Sequence, residues 1–120
     1  MVAMLSDEYR YRILKILESN PSASQRQIAG ELGISVGKVN YCLQALIEKG
    51  LIKVSNFQRS KGKRAYLYLL TPKGIREKAS VTLRFLRLKL SEYEVLQQDL
   101  SELRLEASKL AEQDRTQHEL

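Results

Sequence analysis

The feature that most constrains this chain lies between Ser24 and Gln44, in the stretch SQRQIAGELGISVGKVNYCLQ. It holds two helix starts and one helix stop. Ser24 stands three residues before Gln27, the spacing at which each side chain satisfies the other's backbone N–H, so a helix is expected to begin there. Ile28, Ala29 and Leu32 then recur at helical spacing and face one way. Gly33 follows at once as a left-handed terminator, and Ser35 is placed to cap a further helix. Two helices joined so tightly must cross closely. Ala29 is small where they cross, Gly33 makes the turn, and Val39 plugs the angle between them. Ile28, Leu32, Ile34 and Leu43 fill the remaining apolar positions of a helix-turn-helix.

The flanking sequence supplies the other elements. A first helix is expected from Asp7 to Ser19, capped by Ser6, with Asp7 and Glu8 against its positive end and Tyr9, Ile13, Leu14, Ile16 and Leu17 on the buried side. Asn20 and Pro21 stop it. The helix capped by Ser35 should run to Lys49, with an apolar stripe of Val36, Val39 and Leu43 continued by Leu46 and Ile47, and Gly50 at its end. The period then changes. LIKVS and AYLYLL read as two strands of a hairpin around NFQRSKGKR. Thr71 caps a last helix with Pro72 in its first turn, running for some forty residues, on the order of 60 Å. QDRTQHEL carries no apolar pattern and is expected to fray. The fold class is mainly α, an α+β arrangement, with a domain over 6–80, a helical appendage over 81–112 and a polar tail over 113–120.

Composition removes several classes of function. Cys42 is the only cysteine and His118 the only histidine, so no internal disulfide, no cysteine metal cluster and few acid–base arrangements are open to the chain. SKGKR lacks the two-glycine spacing of a phosphate-binding loop. We expect no enzyme, no metal and no cofactor. Cys42 reads as a small buried hydrophobe, without the basic neighbour or second cysteine of a redox switch. The start lacks a basic segment followed by an apolar one, and no apolar run approaches the length of a membrane span, so a cytoplasmic location is expected.

Charge points to a partner. The net charge is +6. Residues 1–80 carry fourteen Lys and Arg against six Asp and Glu, whereas residues 81–120 carry six against eight. The off-stripe residues of the third helix, Ser35, Gly37, Lys38, Asn40, Tyr41 and Gln44, are small or polar and none is acidic. Such a face suits a polyanion.

Taken with LIEKGLIK, the basic hairpin and LLTPKGIREKA, the helix-turn-helix resembles a winged helix of the MarR type. More narrowly, SQRQIAGELGISVGKVNYCLQALIEKGLIK with RFLRLKLSEYEVLQQDLSEL resembles the short MarR-type regulators that accompany bacterial exopolysaccharide genes. The resemblance covers residues 6–106 and implies a DNA-binding transcriptional regulator. Typical MarR proteins form an effector cleft with helices on both sides of the winged domain. Only a few residues precede the first helix here, so no small-molecule effector is expected.

For a groove-reading helix over 35–49, the base-edge candidates are Ser35, Gly37, Lys38, Asn40, Tyr41 and Gln44. Lys38 suits guanine O6 or N7, Asn40 and Gln44 suit adenine, Tyr41 suits a sugar or a thymine methyl, and Gly37 lets the backbone come close. Phosphate or minor-groove candidates are Ser24 and Arg26 at a helix start, and Arg59, Lys61, Lys63 and Arg64 in a wing over 56–65. In the last helix, Leu83, Leu86, Leu90 and Tyr93 form a coiled-coil seam. Leu96, Leu100 and Leu103 resume it after a three-residue slip across 93–97. A homodimer is expected, because two domains then read half-sites about one DNA turn apart. The competing reading is a winged helix used as a protein-interaction scaffold.

Overall fold

A computed structural model describes residues 6–58 and 64–119. The elements are α1 (Asp7–Ser19), α2 (Gln25–Leu32), α3 (Val36–Glu48), β1 (Ile52–Gln58), β2 (Arg64–Leu70) and α4 (Pro72–Glu119). They fall into two compact units, the first ending at Phe85 and the second beginning at Leu86.

Local chemistry sets the helix ends where the spacing predicts them. Ser6 Oγ accepts from the Tyr9 N–H at 3.2 Å. Ser24 Oγ accepts from the Gln27 N–H at 3.0 Å while Gln27 Oε1 accepts from the Ser24 N–H at 2.8 Å, a closed capping box. Gly33 sits at φ 67°, ψ 34°, where a side chain would be strained. Ser35 Oγ accepts from the Lys38 N–H at 3.1 Å and starts α3 one turn later.

The core of the first unit gathers Ile13, Leu14 and Leu17 of α1, Ile28 and Ala29 of α2, and Val39, Cys42, Leu43, Ala45 and Leu46 of α3. Leu51, Ile52 and Tyr68 close it from the base of the hairpin. Val36 departs from the expected stripe. It is 44% exposed at the first position of α3, and the buried side of the helix starts one turn later, at Val39. Arg10 is a second departure: it is buried on the apolar side of α1, with Nη1 donating to Glu77 Oε1 of α4 at 2.9 Å.

β1 and β2 pair antiparallel, from Ile52 opposite Leu70 to Gln58 opposite Arg64. The ladder therefore continues through Asn56, Phe57 and Gln58, which the sequence reading assigns to the tip. The base of the hairpin is pinned to the helices: the Tyr68 N–H donates to Pro21 O at 2.9 Å and the Thr71 N–H to Leu51 O at 3.0 Å.

α4 opens on Thr71, whose Oγ1 accepts from the Gly74 N–H at 3.0 Å. Its start is clamped to α1. Val81 is fully buried, Arg84 embraces Asp7 through Nε at 3.1 Å and Nη2 at 3.3 Å, and Phe85 stacks on Tyr11 with ring centroids 5.2 Å apart. The first unit thus reaches five residues past the expected boundary at Ser80. The second unit is helical throughout its described length, through 93–97 and through 113–119 as well. The polar end does not fray as expected, because absence of an apolar period removes burial but not helix propensity. Thr116 Oγ1 donates to Glu112 O at 3.0 Å and His118 Nε2 lies 3.4 Å from Asp114 Oδ1, both one turn apart.

Candidate nucleic-acid interface

The candidate surface is built on α3. One side of this helix is spent on the core, and the opposite side keeps Gly37, Lys38, Asn40, Tyr41 and Gln44 exposed. The first acidic residue of the helix is Glu48, at its far end. At about 100° per residue, Gly37, Tyr41 and Gln44 lie along the middle of the exposed side, whereas Lys38 and Asn40 occupy its two edges.

Each edge residue meets a different neighbouring helix. Lys38 Nζ sits 4.8 Å from the ring centroid of Tyr9 on α1, a cation–π contact that parks its charge at the edge of the exposed side of α3. Asn40 Oδ1 accepts from Gln25 Nε2 of α2 at 3.2 Å, and the same nitrogen lies 3.4 Å from the Tyr68 hydroxyl of β2. Tyr9 is expected from the sequence only as part of the buried side of α1, and nothing in the sequence marks Gln25 or Tyr68 as partners of this face. Gln25 and Tyr68 are 43 residues apart, so no spacing rule joins them.

Of the remaining candidates, Ser35 is exposed and uses its Oγ as the α3 cap. Gly37 is exposed with nothing within 4 Å of where a Cβ would stand, so the protein's own packing does not demand glycine there. Ser24 has both its hydroxyl and its N–H engaged in the capping box, and Arg26 is exposed in the same first turn. Arg59, Lys61 and Lys63 lie outside the described residues, and Arg64 opens β2 as a backbone position. The structure gathers Ser35, Gly37, Lys38, Asn40, Tyr41 and Gln44 on one helix, with Ser24 and Arg26 at the start of the next helix upstream.

Cys42 lies on the core side of α3 and is buried. Burial pushes its thiol pKa up, and the nearby Lys38 charge opposes that shift without cancelling it. The group is a neutral thiol at physiological pH, which is the buried hydrophobe its sequence context suggests. Among the described residues no helix is long and apolar enough to cross a membrane.

Residues 6–53 match the family model described as winged helix-turn-helix DNA-binding. A comparison with curated protein sequences gives no match. Among solved structures the chain resembles a PadR-like transcriptional regulator from Bacillus cereus, at 18% identity and a TM-score of 0.64, over 73% of this chain and 90% of that one. It also resembles MarR of Staphylococcus aureus, solved with salicylate and kanamycin, at 27% identity and a TM-score of 0.51, over 68% of this chain and 53% of that one. PcaV, a transcriptional regulator of Streptomyces coelicolor solved with its natural ligand, aligns at 23% identity and a TM-score of 0.57, over 74% of this chain and 62% of that one. The chain therefore spans nearly all of the PadR-like protein but less than two thirds of MarR and PcaV. The expected fold is the observed one: a three-helix helix-turn-helix core, a two-stranded wing and a long last helix.

Proposed function

We propose that this chain, a winged helix-turn-helix of the kind carried by MarR- and PadR-type regulators, is a sequence-specific regulator of transcription that binds double-stranded DNA as a homodimer. Residues 35–49 enter the major groove, and the wing over 56–65 lies on flanking backbone or in the minor groove. The observation that carries this reading is the exposed side of α3, which is free of acid from Ser35 to Ile47 and rich in groups that suit base edges. Arg26 and the first-turn amides of α2 supply phosphate contacts, since the start of a helix presents N–H donors and a positive dipole end. The partners are DNA and a second copy of the chain, and no small-molecule effector is assigned. The narrower resemblance makes exopolysaccharide genes the first place to look for an operator.

Selection of bound sequences from random duplexes tests the reading. A palindromic consensus is expected. Failure to enrich any sequence would favour the scaffold alternative.

On the selected site, Asn40→Ala or Gln44→Ala should weaken binding by about 1–3 kcal/mol, roughly 5- to 150-fold, with little change on random DNA. Equal losses on both would rule out direct base reading. Replacing Arg59, Lys61, Lys63 and Arg64 together by glutamine should flatten the dependence of log affinity on log salt by up to about 0.9 for each phosphate contact removed. An unchanged slope would leave the wing in solvent.

A further inference from the structure

We propose that Gln25 is a positioning residue for base recognition, holding the Asn40 amide in one of its two orientations and referring that orientation to the base of the hairpin through Tyr68. The inference rests on the groove-reading role given to α3 above.

An exposed asparagine is an ambiguous reader. Its terminal torsion is broad and roughly two-fold, so an unheld amide presents its oxygen and its nitrogen interchangeably. Adenine does not tolerate the exchange: N6 must meet an acceptor and N7 a donor. Turned over, the same amide sets like against like at both atoms.

Gln25 couples this choice to a second side chain, so that Asn40 turns over only if the Gln25 amide turns with it. It is the first residue of α2 and half-buried, and its Nε2 carries two hydrogens. One is directed to Asn40 Oδ1 at 3.2 Å and the other to the Tyr68 hydroxyl oxygen at 3.4 Å. Asn40 Oδ1 keeps its second lone pair, and both Nδ2 hydrogens stay available to a base. The contact therefore restrains the amide without consuming what adenine recognition needs.

Tyr68 is a firm post for this arrangement. Its residue is 8% exposed, and its backbone N–H is tied to Pro21 O in the turn before α2. It lies on β2, the strand that returns from the wing tip. One amide nitrogen thus joins α2, α3 and the base of the hairpin, so Asn40 is referred to a fixed frame rather than to its own helix alone.

The test uses the full chain and duplexes selected by the wild-type protein. The base pair read by Asn40 is first identified as the one at which Asn40→Ala loses its preference. Gln25→Ala should reduce discrimination at that pair by about 2- to 12-fold, the cost of ordering one freed side chain. Affinity for random duplex, the salt slope and the melting temperature should stay unchanged. In the Asn40→Ala background the same substitution should do nothing further to discrimination. Tyr68→Phe should give a smaller loss at the same pair. Gln25→Glu is the sharper variant: a carboxylate accepts rather than donates, so it draws Asn40 Nδ2 toward α2 and should change which base is preferred at that one position. Equal losses on selected and random DNA, or full discrimination retained by Gln25→Ala, would overturn the proposal. A wild-type protein that enriches no sequence would instead overturn the functional reading beneath it.

Discussion

Gly74→Ala will unfold the first unit at a midpoint at least about 8 °C below that of the wild type. Gly74 is buried in the first turn of α4, and a Cβ built on it runs into the backbone carbonyl of Leu51. Backbone cannot turn aside as the end of a long side chain would. That carbonyl also accepts from the Thr71 N–H at 3.0 Å, while Thr71 Oγ1 donates to the neighbouring Gly50 O at 2.5 Å and caps the Gly74 N–H. Any shift that makes room for a methyl group disturbs this whole junction between the base of the wing and α4. Two effects compete. Alanine in place of glycine favours a helix by about 1 kcal/mol. Overpacking costs about 1–3 kcal/mol, and each weakened hydrogen bond adds about 1 kcal/mol. The steric side wins by about 2–3 kcal/mol, and at about 4–8 °C per kcal/mol for a unit of this size the midpoint falls well outside experimental error. Gly37→Ala is the control within the same protein. Nothing lies within 4 Å of its added methyl group, so its midpoint should hold or rise slightly. Thermal unfolding followed by circular dichroism reads both. A Gly74→Ala midpoint equal to that of Gly37→Ala would mean that α4 does not approach Leu51 so closely.

What the sequence makes legible here is what chemistry settles within four residues. Ser6, Ser24 and Ser35 each find their N–H partner three positions on, and Gly33 ends α2 by its own conformation, so spacing alone locates the helix-turn-helix. The apolar period names most of the core for the same reason. It fails where a contact is closed from far along the chain. Arg10 lies on the apolar side of α1 because Glu77 arrives over it 67 residues later, and the first unit extends to Phe85 because that ring lands on Tyr11. The candidate site divides in the same way. The acid-free side of α3 is visible in one stretch of letters, whereas the partners of its two edge residues, Tyr9 for Lys38 and Gln25 for Asn40, exist only once three helices have been packed together.

The second large effect belongs to the second unit. A full-length protein carrying Leu90→Glu and Leu103→Glu should scatter light as a single chain, and the wild type as two. The second unit is one helix and has no other element of its own against which to bury apolar surface. Yet Leu86, Leu90, Tyr93, Leu96, Leu103 and Leu110 are each more than half exposed. Full burial of one such side chain is worth about 1.5–3 kcal/mol, so a seam formed by two copies gains enough to offset the entropy of association. The seam changes phase between Tyr93 and Leu96, and for that reason one charge is placed on each side of the slip. Glutamates meeting across a two-fold axis combine desolvation with repulsion. Both substituted positions lie beyond Phe85, outside the core of the first unit, so each winged domain should keep its affinity for a half-site. Binding to a full palindrome should fall by about 10²- to 10⁴-fold, the gain that linking two reading heads provides. Leu88→Glu separates a specific seam from general stickiness. Leu88 is 50% exposed, but it lies about 200° around the helix from Leu86, so its charge should leave the dimer intact. Two-chain scattering from the doubly charged protein would exclude this seam as the contact, and dissociation by Leu88→Glu would place the contact on the opposite side of α4.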